Sequence, residues 1–246
     1  MLRQEWTLRA APRAGCRLLA LAFFVFVGHI PSAAAAPPDE IASPASAKSC
    51  EVRDFDILVD RRRTGTHRLT ITTAGSVTTT QVESDVHINL VVYSYTYKFR
   101  ATEVWRENRL AQLDVQCDDG GKRKDLTARV EGDISRVTLN GRAHQTDRGQ
   151  ISTAYWQLPA GEAPPQSVSI LDVNSGLAKP ATLERVGKTT VQVEGQSLDC
   201  QHIKIGEPVP TELWFDDQNR LVRQTSVVEG HPTELRLRRI HQPGVP

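Results

Sequence analysis

The chain has 246 residues, with 30 lysine and arginine residues against 29 aspartate and glutamate residues and a formal net charge of +1 at pH 7. This balance gives no electrostatic reason to expect binding to nucleic acid or to an anionic membrane surface, since both interactions need a basic patch. About 200 residues remain beyond the N-terminal segment described next, which is enough for one large domain or two closely packed halves.

The first 35 residues have the three parts of a secretory signal peptide. Four arginines come before the apolar run LLALAFFVFV at 18–27, and the small-residue stretch PSAAAA follows it. Cleavage after Ala35 satisfies the A-x-A rule, and the apolar run is well short of the roughly 20 residues that cross a bilayer. Cleavage would leave 26 basic and 28 acidic residues. We expect a bacterial periplasmic or secreted protein that does not span the membrane once residues 1–35 are removed. Residues 36–49, rich in Pro, Ala and Ser, predict a flexible tether.

The remaining residues, 50–246, predict a single β-rich domain. From Phe55 onward apolar and polar residues alternate with a period of two, and Gly, Asn and Asp turns separate the segments, which is the pattern of antiparallel strands. The pattern covers two halves, 50–140 and 181–241, and the polar segment 141–180 predicts a loop-rich connection between them. No helical period of useful length occurs. The predicted fold class is all-β, with antiparallel meanders that form a β-sandwich or a curved open half-barrel.

One stretch, 82–105, holds half of the ten aromatic residues outside the leader, all at odd positions: Tyr93, Tyr95, Tyr97, Phe99 and Trp105. A strand places odd positions on one face, so these rings line either a ligand cavity or the packed space between two layers. Before Tyr93 the apolar residues occupy even positions. A straight strand cannot change parity in this way. The stretch therefore predicts two strands with a connection between Leu90 and Tyr93, and a bulge at that point is the alternative.

Two groups of residues in the predicted strands have the residue types of chemical sites. Glu83, Asp85 and His87 share one strand face at i, i+2 and i+4 and form a weak candidate metal site, with a solvated face as the alternative. Cys200 and His202 also share a strand face, but no third group orients the imidazole for thiol catalysis. We predict no metal and no cofactor.

The cysteines left after cleavage are Cys50, Cys117 and Cys200. An exported chain can form one disulfide from them, and the sequence leaves the pairing open. Cys117 has the apolar parity of its strand, which favours a buried free thiol. A basic hairpin tip, Arg61–Arg63, is predicted to be solvated, and docking of a partner or a lipid headgroup is the alternative.

Two segments, YTYKFRATEVWRENRLAQLDVQCDDGGKR from Tyr95 and ELWFDDQNRLVRQ from Glu212, resemble a family of exported bacterial proteins described only as a domain of unknown function. The shared motifs are Tyr-x-Tyr, Glu-x-Trp, an Asp-Asn-Gly-Lys turn and Trp-Tyr-Asp, and they fall at Tyr95 and Tyr97, Glu103 and Trp105, Asp119–Lys122, and Trp214–Asp216. Gly120 and Phe215 depart from the pattern. The resemblance covers most of 52–240 and implies a β-rich exported body, and it supplies no catalytic residue and no cofactor to carry over to this chain. The chain is also distantly similar, at the level of the fold, to the curved sheets of periplasmic lipoprotein carriers.

The function predicted from these features is non-enzymatic binding of a lipid-like or apolar small molecule. Its candidate site is one strand face: Tyr93, Tyr95, Tyr97, Phe99, Glu103 and Trp105. The alternative is a structural or assembly factor of the cell envelope that binds another protein through a sheet edge. An enzyme ranks third, because G-x-S-x-G, H-E-x-x-H and a glycine-rich phosphate loop are all missing from the sequence.

Overall fold

The computed structural model describes residues 48–90, 93–149, 151–158, 166–207 and 210–243. The predicted leader and all but the last two residues of the predicted tether lie outside these ranges. The described residues belong to one compact unit, Ser43–Pro246.

Every regular element in the described ranges is a β-strand, and these strands form one continuous sheet. Their bounds are β1 (Lys48–Val59), β2 (Arg62–Ala74), β3 (Val77–Leu90), β4 (Tyr93–Arg106), β5 (Arg109–Asp119), β6 (Lys122–Glu131), β7 (Ile134–Leu139), β8 (Arg142–Asp147), β9 (Ile151–Ser152), β10 (Gln166–Leu171), β11 (Ala178–Val193), β12 (Gln196–Ile205), β13 (Thr211–Phe215), β14 (Leu221–Val228) and β15 (His231–His241). The order is β8-β7-β6-β5-β4-β3-β2-β1-β15-β14-β13-β12-β11-β10-β9. Neighbours are antiparallel except β9 and β10, which are parallel. The all-β prediction is confirmed, as a curved sheet of meanders.

The two predicted halves join at the centre of this sheet, where β1 pairs with β15 and Phe55 lies opposite Leu237. The first meander runs outward from there as β1–β8 and the second runs back as β10–β15. Residues 141–180 contain more strand than the predicted loop-rich connection: β8, β9, β10 and the start of β11. The sequence did not predict β8, because it is an edge strand whose residues are exposed or half-buried. Such a strand needs no apolar alternation.

The outer strands of the two meanders come close to each other. Only residues 148–150 separate β8 from β9 along the chain. The Ala178 backbone N donates to Thr146 Oγ1 at 3.0 Å, which links β11 to β8. In the loop between β10 and β11, a Cβ added to Gly176 would lie 2.5 Å from Val137 Cγ1. The sheet therefore curls on itself, and side chains and a loop bridge its two edges.

A row of buried apolar residues crosses the inner face of the first meander. Leu69, Val82, Ala101, Val115 and Leu126 are successive cross-strand partners from β2 to β6, and each is at most 4% exposed. A slip of one residue in any strand would turn its member of the row outward, so burial of this face fixes the register.

The hairpin of β3 and β4 explains the change of parity in the aromatic stretch. β3 ends at Leu90, β4 begins at Tyr93, and these two residues are partners. Partners in an antiparallel pair share a face, so even positions of β3 and odd positions of β4 point to the same side. The prediction of two strands is confirmed, and the bulge alternative is wrong.

Candidate functional site

The described aromatic side chains of β4 become more buried along the strand. Tyr95 and Tyr97 are half-buried, Phe99 is 8% exposed and Trp105 is 3% exposed. Tyr95 Oη donates to Asp119 Oδ1 at 2.7 Å, and the Tyr97 and Phe99 rings stack with centroids 6.3 Å apart. The side chain of Tyr93 lies outside the described part of the structure. At the Trp105 end, the row is part of the packed core.

Glu103 lies on the same face and is completely buried. Its Oε2 accepts hydrogen bonds from Trp105 Nε1 at 2.8 Å and Thr80 Oγ1 at 3.2 Å, and its Oε1 accepts one from Ser152 Oγ. Burial raises the pKa of Glu103, and its hydrogen bonds to Ser152, Trp105 and Thr80 partly offset that effect. Because these partners come from β3, β4 and β9, the carboxyl group ties the first meander to the far edge of the sheet.

The segment after β9 fills the interior beside this acid. Trp156 packs edge-on against Trp105 with ring centroids 5.6 Å apart, and its carbonyl oxygen accepts from Arg53 Nη1 at 3.0 Å. Arg53 is 5% exposed, and burial lowers its pKa although its partner Glu51, 2.5 Å away, opposes that effect. Glu103 and Arg53 thus hold residues 152–156 inside the curve of the sheet.

A groove of about 860 Å³ lies on the outer face of the second meander, opposite to the face that packs into the interior. One cross-strand row forms its floor, and successive members of the row are partners from β11 to β1: Glu184, Lys204, Glu212, Thr225, Glu234 and Leu58. Apolar walls are supplied by Ile205, Pro210, Val227 and Pro232, and Arg61 lies in the lining at the β1–β2 turn. The volume falls within the range typical of small-molecule sites. No residue of the aromatic row lines this groove.

Two of the three groove carboxylates are neutralised by neighbouring cations. Glu212 lies 3.0 Å from His202 Nε2 and 3.5 Å from Lys204 Nζ, and Glu234 lies 2.9 Å from Arg223 Nε. Among the described residues, Glu184 and Arg61 are the lining charges that have no ion pair. The groove therefore offers mostly neutral or apolar surface, with one free charge of each sign.

A stack of three side chains adjoins one end of the groove, on the same face of the sheet as its floor. The Trp214 ring lies between its two cross-strand partners, with the His202 ring centroid 4.4 Å away in a parallel plane and the Arg223 guanidinium carbon 4.8 Å from its centroid. Trp214 is 8% exposed. Aromatic and cation–π contacts of this kind hold His202 and Arg223 in fixed positions, and these two residues in turn pair with the groove carboxylates. Within the Trp214–Asp216 motif, Trp214 therefore positions two side chains that pair with the groove carboxylates.

The residues of the weak metal candidate lie on the outer face of β3 and contact polar or charged neighbours there. His87 Nε2 lies 2.7 Å from Asp85, and Glu83 lies 3.9 Å from Arg100 Nε on β4. Within the described residues, no cluster of three His, Cys, Asp or Glu side chains has a geometry that could hold a metal ion.

The cysteines Cys50, Cys117 and Cys200 are free thiols in this structure. The Cys200 Sγ lies 3.5 Å from the Leu198 carbonyl oxygen, whereas the ring of His202 is engaged by Trp214 and Glu212. Burial raises the pKa of Cys200 to about 11, so its thiol stays protonated at neutral pH and is a poor nucleophile.

A pair that the sequence did not reveal lies across β2 and β3. His67 Nδ1 and Ser84 Oγ are 2.8 Å apart, and burial lowers the pKa of His67 to about 4. No carboxylate in the described part of the chain bonds to the other ring nitrogen of His67, so the pair lacks the third member of a hydrolase triad. Only the register of the two strands, which places these residues opposite each other, could have predicted it.

The fold defines an all-β protein built on one curled, mostly antiparallel sheet. The chain belongs to the family described as domain of unknown function DUF6134, whose model matches residues 55–238. The predicted membership of a family of unknown function is thereby confirmed. The comparison with curated proteins found no match.

Two solved structures are similar to this chain. The crystal structure of a beta-barrel-like protein of domain of unknown function DUF1849 from Brucella abortus has 9% sequence identity and a TM-score of 0.59, with 81% of this chain and 100% of that chain covered. That likeness shows the fold. A putative outer membrane lipoprotein-sorting protein domain from Vibrio parahaemolyticus has 8% identity and a TM-score of 0.24, with 80% of this chain and 87% of that chain covered.

The described residues contain no helix of the length and apolar character that crossing a membrane requires.

Proposed function

We propose that this protein is an exported, periplasmic or secreted binding protein that carries a lipid-like, amphipathic small molecule in the groove of its second meander. The groove volume of about 860 Å³, with its mixed lining, is the observation on which this proposal rests. The leader pattern of residues 1–35 supports export.

The apolar part of the ligand would contact one side of the groove. Val227 and the two prolines provide exposed aliphatic surface there, next to the buried Leu58 and Ile205. Val227 is 68% exposed, and covering such a side chain with a ligand removes apolar area from water, which favours binding by about 25 cal/mol for each Å². An extended hydrocarbon chain fits this lining better than a polar metabolite does.

The polar end of the ligand would lie near Arg61, at the β1 end of the floor row, away from the unpaired Glu184 at the β11 end. Arg61 has no ion pair among the described residues, so its guanidinium is available to a carboxylate or phosphate group, which it can bind with two parallel hydrogen bonds. Glu212 and Glu234 are already paired and would not repel such a group strongly. The ligand class is therefore an amphiphile with an anionic group.

Features of the interior support binding over catalysis. Glu103 is fully buried, is engaged by three donors and does not line the groove. The Cys200 thiol is protonated at neutral pH, and the His67–Ser84 pair has no orienting carboxylate. The groove itself presents paired charges and threonines, without a nucleophile next to a base.

The sheet edges offer little to a partner strand. β9 has two residues, and β8 has six and bonds through Thr146 to Ala178. Binding of another protein by strand addition usually uses a longer exposed edge. The geometry therefore favours a small ligand over the assembly factor.

Filling the groove tests this proposal. Thr225 is a half-buried floor residue of β14, and no side-chain hydrogen bond of its hydroxyl occurs among the described residues, so Thr225→Trp would block the groove at little cost in stability. The matched control is Thr127→Trp on the exposed face of β6. We expect wild type and Thr127→Trp to bind dansyl-labelled undecanoic acid equally, and Thr225→Trp to bind it at least tenfold more weakly. Equal affinity of all three proteins, or no binding by wild type, would refute the groove as the ligand site.

A further inference from the structure

A second concave site lies on the outer face of the first meander. It is a depression of about 350 Å³ that spans β1, β2, β3 and β4, and Arg238 of β15 also belongs to its lining. Its volume lies at the lower end of the range for small-molecule sites. The depression and the groove have no lining residue in common, so they are separate sites.

The side chains that enter the depression are polar. Seven of them form two cross-strand rows: Asp54, Arg68, Glu83 and Arg100 in one, and Thr66, Asp85 and Lys98 in the other. Their sequence neighbours Leu69 and Val82 belong to the buried inner row, so both rows point outward. Phe55 and Phe99 also border the depression, but they are 1% and 8% exposed and pack in the core. The depression therefore suits a hydrophilic ligand and not the amphiphile of the groove.

A buried aspartate organises one end of the depression. Asp54 is 4% exposed, and its two carboxylate oxygens accept hydrogen bonds from Arg68 Nε and Arg239 Nε, each at 2.7 Å. Burial alone would raise the pKa of Asp54, but the hydrogen bonds from the two arginines outweigh burial and lower it. Both arginine side chains are about half exposed, and their terminal amino groups make no hydrogen bond within the described residues. Two guanidiniums are thus held in place with N–H groups free for a ligand.

The charges on this part of the outer face have a positive sum. The two rows continue onto β1 and β15, and a bulge adds one more arginine; the cations are Arg68, Lys98, Arg100, Arg236, Arg238 and Arg239, and the acids are Asp54, Asp56, Glu83 and Asp85. Six positive charges against four negative ones leave a sum of +2. The acids next to these rows do not cancel it, because Asp118 is paired with Arg123 and Glu234 with Arg223. The depression therefore favours a ligand with an anionic group.

Two carboxylates on β3 give the other end of the depression a different character. Glu83 lies 3.9 Å from Arg100 Nε and Asp85 lies 2.7 Å from His87 Nε2, and their side chains are 62% and 49% exposed. Exposed carboxylates of this kind accept hydrogen bonds from hydroxyl groups. Because β3 is two strands away from β1, the carboxylates lie about 10 Å from the Asp54 end. A molecule the size of one sugar ring with an anionic substituent spans that separation.

We propose that this depression binds a small acidic carbohydrate, with its anionic group at Arg68, Arg238 and Arg239 and its hydroxyl groups at Glu83 and Asp85. Guanidinium groups bind phosphate or carboxylate through two parallel hydrogen bonds. The carboxylates of β3 repel an anion that has no hydroxyl to donate, which gives selectivity. A sugar phosphate and a uronic acid share this chemistry. The inference goes beyond the groove ligand and does not depend on it.

Isothermal titration calorimetry at low ionic strength tests the site. The probes are glucose 6-phosphate and glucuronate, and the reference ligands are glucose and inorganic phosphate, each of which can use only one end of the depression. We expect at least one acidic sugar to bind wild type about tenfold or more tightly than either reference ligand, and to bind more weakly as salt is added. The tighter of the two sugars identifies phosphate or carboxylate as the preferred group. No binding of either acidic sugar, or equally tight binding of a reference ligand, would overturn the proposal.

Two variants test the two ends of the depression separately. Arg238 has no ion pair within the described residues, so Arg238→Ser should fold normally and weaken binding of the acidic sugar about tenfold. Asp85→Ala should weaken the acidic sugar about fivefold and leave inorganic phosphate bound as tightly or more tightly, because it removes a hydroxyl acceptor and a repelling charge together. Weaker binding of phosphate to Asp85→Ala would contradict the assigned role of this carboxylate.

The matched control is an arginine at the far end of β4. Arg106 is exposed and has no ion pair in the described part of the chain, so Arg106→Ser removes the same charge outside the depression and should bind the acidic sugar within twofold of wild type. Equal losses in Arg106→Ser and Arg238→Ser would show a general effect of net charge and would overturn the site.

The dansyl-labelled undecanoic acid assay separates this inference from the proposed function. Arg238 lies outside the groove lining, so we expect Arg238→Ser to keep wild-type affinity for that probe while it loses the acidic sugar. Thr225→Trp should do the reverse.

Discussion

The inner and outer faces of the second meander differ in what covers them. The inner face meets the first meander across the curve of the sheet, and its residues, such as Ile203 and Leu213, are at most 1% exposed. On the outer face of the same strands, Lys204 and Glu212 line an open groove. These two residues are the sequence neighbours of Ile203 and Leu213. The alternation of side chains is identical on both faces. Curvature and the inserted segment 152–156 decide which face is filled.

The comparison teaches that an aromatic row is weak evidence for a cavity. Phe99 and Trp105 have the composition of a ligand wall, yet Trp156 fills the space above Trp105. The groove, by contrast, is lined by threonines and charged residues that alone would suggest a solvated surface. What makes it a candidate site is that six strands bring these residues together around empty space.

The largest expected effect comes from the buried acid. Glu103→Ala leaves the Trp105 and Thr80 donors without an acceptor in the core and creates a cavity, so we expect the free energy of unfolding to fall by about 3–5 kcal/mol. Urea unfolding at neutral pH measures the loss. Glu103→Gln keeps the volume and an acceptor oxygen and should cost far less. A loss below about 1 kcal/mol for the alanine variant would mean that the inner face does not depend on this cluster.

A smaller effect is expected at the Trp214 stack beside the groove. Trp214→Leu removes the surface on which His202 and Arg223 stack, and we expect a loss of about 2 kcal/mol in the free energy of unfolding, together with weaker binding of dansyl-labelled undecanoic acid. The control, Trp214→Phe, keeps a ring in place and should retain more of both. If leucine and phenylalanine behave alike, the stack does not position the groove charges.

The pH dependence of stability should differ between wild type and Glu103→Gln. Because the pKa of Glu103 is raised in the folded state, the folded protein keeps a proton that the unfolded chain has released above the ordinary value of 4.5. The stability contribution of this group is therefore full below that value and declines as the pH rises through the folded pKa. Unfolding measured from pH 5 to pH 8 should show wild type losing stability relative to Glu103→Gln. A constant difference across this range would contradict the raised pKa.

The smallest effect is expected on the outer face of β3. Glu83→Gln with His87→Gln removes exposed ion pairs, which contribute little in water, so the free energy of unfolding should change by less than about 0.5 kcal/mol. Thermal unfolding with and without added zinc provides the measurement. A zinc-dependent stabilisation of wild type that the double variant lacks would restore the metal site.

The sequence predicted the features that depend on alternation. The period of two specified strands, and the change of parity near Leu90 specified the β3–β4 hairpin, because both follow from which side chains must be buried. β8 was missed because an edge strand with solvent on its outer side has no such requirement. The contact of Glu103 with Ser152 was also invisible, since 49 residues separate them and no local rule predicts how far a sheet curls.

The groove could not be predicted for a related reason. Strand periodicity shows that Thr225 and Glu234 share a face, but it does not show whether that face is concave. The Trp214–Asp216 motif was the available signal, because its Trp214 forms the stack beside the groove, although the sequence alone does not distinguish a supporting role from a binding one.

Photo-crosslinking tests the central claim, that the ligand lies in the groove and not against the aromatic row. A long-chain fatty acid with a diazirine group is bound to the protein, irradiated, and the labelled peptides are identified by mass spectrometry. We predict labels on the groove strands, at residues such as Leu58, Ile205 and Val227. Labels confined to Tyr95–Trp105 on β4 would contradict the account and return the site to the aromatic face.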